Sequence, residues 1–114
     1  MHTEIKKTTK IVDEFTSMLI KKGSKEVDVK IKREDDLCTV SFIDYNTNIS
    51  AEIADDMREF LNIQRQSEIE EYYWELMGES SDDDELFLVG SMVDKADVKI
   101  EDGNLYVKLY RKIK

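Results

Sequence analysis

The sequence predicts an α/β fold in two layers: a mixed sheet of four or more strands, built from two hairpins, with helices packed on one face. Three observations carry this. Residues 26–33 and 37–43 alternate apolar and polar side chains on either side of Glu34-Asp35-Asp36. Residues 98–109 repeat that pattern around Asp102-Gly103. Before each hairpin the apolar spacing is helical, at Val12, Phe15 and Leu19 and again at Leu86, Val89, Met92 and Val93. A chain of 114 residues is the usual size of one domain, so residues 1–114 are expected to form a single unit.

Taken in order, residues from about Thr3 to Lys22 form an amphipathic helix whose apolar face holds Val12, Phe15 and Leu19 with Ile11 and Met18 alongside. Gly23 suits a left-handed helix stop, and Lys21 and Lys22 complement the negative end of the helix dipole. The first hairpin follows, with Val27, Val29 and Ile31 expected to face the helices, as are Val40 and Phe42. Cys38 is the single cysteine, so an internal disulfide and a thiolate metal cluster are excluded. It reads as a buried, inert thiol.

Asp44 to Asn48 breaks the strand pattern. Ser50 then caps a short helix carrying Ile53, Met57, Phe60 and Leu61, with Asn62 near its end. Ser67 and Glu70 have the spacing of a capping box and open a further helix that stops at Gly78. Its Tyr72-Tyr73-Trp74 run puts aromatics on more than one face, which suits core packing or a partner-binding patch. The acidic Asp82-Asp83-Asp84-Glu85 run suits a solvated loop capping the last helix, a basic partner or a hard cation. In the closing hairpin Val98, Ile100, Leu105, Val107 and Leu109 should face the core. Lys30, Lys32, Lys99, Tyr106, Lys108 and Tyr110 should show on the opposite sheet face.

The net charge of −9 is unevenly placed, because residues 51–85 hold thirteen acids and two bases. Such a field opposes DNA and RNA, whose affinity rests on basic contacts with phosphate. His2, the only histidine, lies near the terminus, which removes Ser/His/Asp and Cys/His catalysis. No apolar run approaches the roughly 18 residues of a membrane span, and residues 1–10 lack an apolar signal core. A cytoplasmic protein with no membrane partner is expected.

The order helix, strand, strand, helix, helix, helix, strand, strand, with Asp44 just after the second strand, resembles the ATP-binding domain of the histidine-kinase-like ATPases. The small anti-sigma-factor serine kinases are the nearest in kind, and the resemblance spans about Lys6 to Arg111. In that family the first helix carries a glutamate and, four residues on, an asparagine that coordinates magnesium. Glu14 stands at the first position and Met18 at the second. An aspartate after the second strand bonds the adenine amino group and is followed by glycines; Asp44 matches it, with Asn46 and Asn48 at the glycine positions. Where a glycine-rich turn would cradle phosphates stand Glu85-Leu86-Phe87-Leu88, which are bulky and acidic.

The resemblance therefore implies a kept scaffold with degenerate nucleotide-binding motifs: a non-catalytic regulatory or interaction module, with no cofactor and no metal site, that binds another protein. A second copy of the chain is a further candidate partner, and an acidic mimic of nucleic acid is a third possibility. The alternative implied by the same resemblance is an ATP-dependent serine kinase using ATP and Mg²⁺. In it Glu14 would be the catalytic carboxylate, and Asp44, Asn46 and Asn48 would hold the nucleotide.

Overall fold

The computed structural model describes residues 2–62, 86 and 89–113. Its elements are α1 (His2–Lys21), β1 (Val27–Glu34), β2 (Leu37–Asp44), α2 (Ala51–Leu61), β3 (Lys95–Glu101) and β4 (Asn104–Lys112). Residues 86 and 89–92 are also helical. The Ser67–Gly78 helix, the Tyr72-Tyr73-Trp74 run, the Asp82–Glu85 run and Phe87 lie outside the described residues. No described helix is long and apolar enough to cross a membrane.

The two hairpins form one four-stranded sheet in the order β1-β2-β4-β3. They join through β2 and β4, and all three pairings are antiparallel, so the sheet contains no parallel pair of the mixed kind. The turns follow their local chemistry. Asp102 and Gly103 take φ of 54° and 81°, the paired positive values that a two-residue hairpin needs to match strand twist.

α1 ends as Gly23 adopts φ 101°, and Ser24 N–H reaches back to Leu19 C=O at 3.1 Å. That bond and the left-handed glycine close the helix and satisfy carbonyls its last turn would otherwise expose. Ser50 caps α2, its Oγ accepting from Ile53 N–H at 3.2 Å.

α1 lies across β2 and β4. Phe15 packs on Phe42 with ring centroids 4.6 Å apart, and Thr8 Oγ1 is 3.9 Å from Cys38 Sγ. Ile11, Phe15, Met18 and Leu19 are buried with Val40, Phe42, Val98, Leu105, Val107 and Leu109, and Val89, Met92 and Val93 join them. Cys38 is buried and free. Val12 is only partly buried, so the buried face of α1 is centred nearer Ile11 and Met18 than the sequence suggests.

Several residues expected in the core are exposed. Val29 is 40% exposed and Ile31 45%, although their register opposite Phe42 and Val40 puts them on the core side of the sheet. The reason is lateral: α1 covers the neighbouring strands, and β1 extends past it at the sheet edge. Ile100, near the end of β3, is likewise exposed. On α2 it is Ala54, Met57 and Leu61 that face inward, whereas Ile53 and Phe60 are exposed.

Candidate functional site

Two regions bear on function: the loop that follows β2, and the sheet face opposite α1. Asp44 closes β2 and is 1% exposed. Its Oδ2 accepts from Thr47 Oγ1 at 2.6 Å. Its Oδ1 is buried and has no hydrogen-bond partner among the described residues.

The rest of the loop is engaged in the fold. Asn46 sits at φ 50°, a left-handed conformation asparagine tolerates better than most residues. Its N–H donates to Asn104 Oδ1 at 2.9 Å, and Thr47 N–H donates to Gly103 C=O at 2.9 Å. Asn48 Nδ2 donates to Gly23 C=O at 3.4 Å. A Cβ at Gly23 would lie 2.7 Å from that amide nitrogen, so the helix stop and the loop are fitted to each other. Thr47, three residues past Asp44, has the short spacing that lets a hydroxyl meet a carboxylate locally. Asn104 carries no comparable signal in the sequence.

Glu14 is on α1, in the layer above the sheet, and is 1% exposed. Met18, one turn on, is fully buried in the apolar core. Magnesium wants oxygen ligands in near-octahedral array, so a buried thioether does not fit the coordinating position that the resemblance assigns there.

The second region follows from register. Residues directly opposite each other in an antiparallel sheet share a face. One row across the strands therefore holds Lys32, Thr39, Tyr110 and Lys95, the next Lys30, Ser41, Lys108 and Asp97, and the third Asp28, Ile43, Tyr106 and Lys99. Lys30, Lys32, Lys95, Lys99 and Lys108 are exposed. Lysine ammonium groups stand over the tyrosine rings, Lys95 at 5.4 Å and Lys108 at 5.6 Å from the Tyr110 centroid and Lys99 at 5.6 Å from that of Tyr106. Tyr110 O–H donates to Asp97 Oδ2 at 2.9 Å, and Tyr45 O–H donates to Asp28 Oδ2 at 2.6 Å. Each bond raises its phenol above the ordinary value, with desolvation and the carboxylate's charge adding to it.

No known protein family, curated protein or solved structure matches the chain.

A hollow of about 510 Å³ lies on the lysine and tyrosine face, bordered by Arg58, Val98, Lys99, Tyr106, Lys108 and Tyr110 among others. Its polar groups are the cations of Arg58, Lys99 and Lys108, the two phenols and the Asp97 carboxylate, which accepts from Tyr110 O–H; the cations suit carboxylates and carbonyls of a ligand. Among the described residues no group of three or more His, Cys, Asp or Glu side chains could hold a metal ion. The face offers charge and stacking surface. Lys108 stands on the face where alternation predicts it, and Lys95 joins it because β3 begins earlier than the alternation of Val98 and Ile100 indicates.

Proposed function

We propose that this chain is a non-catalytic regulatory or protein-interaction module, built on a degenerate histidine-kinase-like ATPase scaffold, that binds another protein. The observation that carries this is the sheet face itself, with five exposed lysines interleaved with Tyr106 and Tyr110. A lysine-rich and partly aromatic surface favours an acidic protein partner: charge steers the encounter and the tyrosines supply contact area. The Asp44 loop, meanwhile, directs N–H donors of Asn46, Thr47 and Asn48 to Asn104, Gly103 and Gly23.

A second reading, an ATP-binding serine kinase, is favoured by Asp44 Oδ1, a buried acceptor with no hydrogen-bond partner among the described residues. An adenine amino group would supply the donor that this oxygen lacks. Thermal unfolding with and without ATP and Mg²⁺ separates the two. The interaction module shows no rise in melting temperature at millimolar nucleotide; a clear rise that Asp44→Ala removes would overturn it in favour of the kinase.

A further inference from the structure

The two edges of the sheet are treated differently. At β3, α2 supplies side chains that occupy the edge: Asn62 Oδ1 accepts from Ala96 N–H at 3.0 Å while its Nδ2 donates to Ala96 C=O at 3.0 Å. Arg58 Nη2 donates to Val98 C=O at 2.6 Å. The β3 edge is thereby blunted, as sheet edges in monomers commonly are.

At β1 the edge is open among the described residues. Tyr45 N–H donates to Glu26 C=O at 3.0 Å, which fixes the phase of the ladder. Residues 28, 30 and 32 turn their backbone groups toward β2, and Val27, Val29, Ile31 and Arg33 turn theirs outward. β1 is eight residues long and holds no proline. On its core-side face Val29 and Ile31 are 40% and 45% exposed.

We propose that a second copy of this chain pairs with the β1 edge, antiparallel about a two-fold axis at Val29, to make one continuous eight-stranded sheet. The charges along β1 select both the occupant and the register. With Val29 opposite the second copy's Val29, Glu26 faces Lys32 and Asp28 faces Lys30, each twice by symmetry. On the other face Val27 meets Ile31. Every outward N–H and C=O at 27, 29 and 31 gains a reciprocal partner. Like charges meet only at the fringe, where Lys25 faces Arg33.

The neighbouring registers fail on charge. An axis at Lys30 or at Asp28 sets that residue against its own copy. An axis at Ile31 sets Lys30 against Lys32 and Asp28 against Glu34, and an axis at Val27 sets Glu26 against Asp28. Like charges directly opposite are destabilising, so one register remains. Existing local bonds do not block it: Asp28 keeps acceptor capacity beyond its bond from Tyr45 O–H, and the Lys32–Glu34 pair, at 3.8 Å, is exposed on both sides and weak. The interface uses the sheet's edge and takes Lys30 and Lys32 from the lysine and tyrosine face, and it leaves Lys95, Lys99, Lys108, Tyr106 and Tyr110 to the partner-binding function proposed above.

The test is the mass of the full chain in solution, by sedimentation equilibrium across a concentration series. A dimer is expected, weakened by added salt. Asp28→Lys and Lys30→Asp should each raise the dissociation constant by about tenfold or more, since each turns two attractive cross-strand pairs repulsive. Mixed together, the two variants should form a heterodimer at least as tight as the parent dimer, because both pairs between positions 28 and 30 are again of opposite charge. Both substitutions lie on an exposed strand face, and the circular dichroism of each variant should match the parent's. Val29→Cys should form an intermolecular disulfide, since Cα atoms opposite each other in a hydrogen-bonded antiparallel pair are about 5.5 Å apart. A parent chain that stays monomeric at high micromolar concentration overturns the proposal. So does a dimer indifferent to the single charge reversals, or one that the mixed variants fail to restore.

Discussion

Arg111, near the end of β4, forms a two-pronged ion pair with Glu4 in the first turn of α1, 107 residues away in sequence. Nε lies 3.0 Å from Oε1 and Nη2 lies 2.8 Å from Oε2. The guanidinium is 2% exposed and the carboxylate 22%. Nη1 also donates to Met92 C=O at 2.6 Å. One side chain thus ties the last strand to the first helix and to the helical residues 89–92.

Removing one member of such a pair leaves a charge in a place water barely reaches. Arg111→Ala and Glu4→Ala should each cost about 3–5 kcal/mol of unfolding free energy, with the glutamate change at the low end because its side chain is partly solvated. The double replacement Glu4→Met with Arg111→Met should recover most of that loss, since apolar side chains of similar length remove both charges and keep the packing. Urea unfolding of the two single variants and the double variant checks this. Additive losses would show that the pair itself contributes little.

Gly90 is where the helical residues 89–92 press on α2. A Cβ there would collide with the Phe60 carbonyl oxygen and would lie 3.3 Å from Leu61 Cα. Backbone, unlike a side-chain tip, has nowhere to go. Alanine gains about 1 kcal/mol over glycine in a helix interior, whereas forcing packed elements apart typically costs about 1–3 kcal/mol. Gly90→Ala should therefore lower stability on balance, and Gly90→Ser at least as much. A melting temperature that rises for Gly90→Ala would mean the helices separate without loss.

Much of the architecture is legible in the sequence because its causes are local. Alternation places Val40, Phe42, Val98, Leu105, Val107 and Leu109 on the core face, and Ser50, Gly23 and Asp102-Gly103 mark a cap, a stop and a turn by their own conformational preferences. Alternation says which face a strand residue joins but not whether anything lies above it. Val29 and Ile31 therefore read as core and stand exposed at the edge. Arg111 has a partner, Glu4, that nothing near it in sequence announces.

The candidate site divides in the same way. Tyr106, Lys108 and Tyr110 are placed on the free face by period alone, and the register puts them there. The bonds that hold the Asp44 loop come from Asn104 and Gly103, more than fifty residues away. Such bonds depend on how the two hairpins meet, a relation that no window of sequence contains.

The two phenol–carboxylate bonds on the sheet make stability depend on alkaline pH, with a sign that can be worked out. A neutral phenol donates to its carboxylate and a phenolate cannot, so the folded chain holds these protons more tightly than the unfolded one. For Tyr110 the cause is first the bond to Asp97, then desolvation, then the charge of Asp97, and its value is raised above 10.0. The stabilisation is whole below pH 10 and is lost as pH rises through the raised value, because the unfolded state there binds fewer protons. Tyr110→Phe removes both the bond and its titration. The variant should be less stable than the parent at neutral pH and should lose less on going above pH 10, so that the two stability curves converge. Chemical unfolding at a series of alkaline pH values tests this, and the difference between the curves removes whatever the two chains share. Curves that stay parallel through that range would show that the Tyr110–Asp97 bond does not persist in solution.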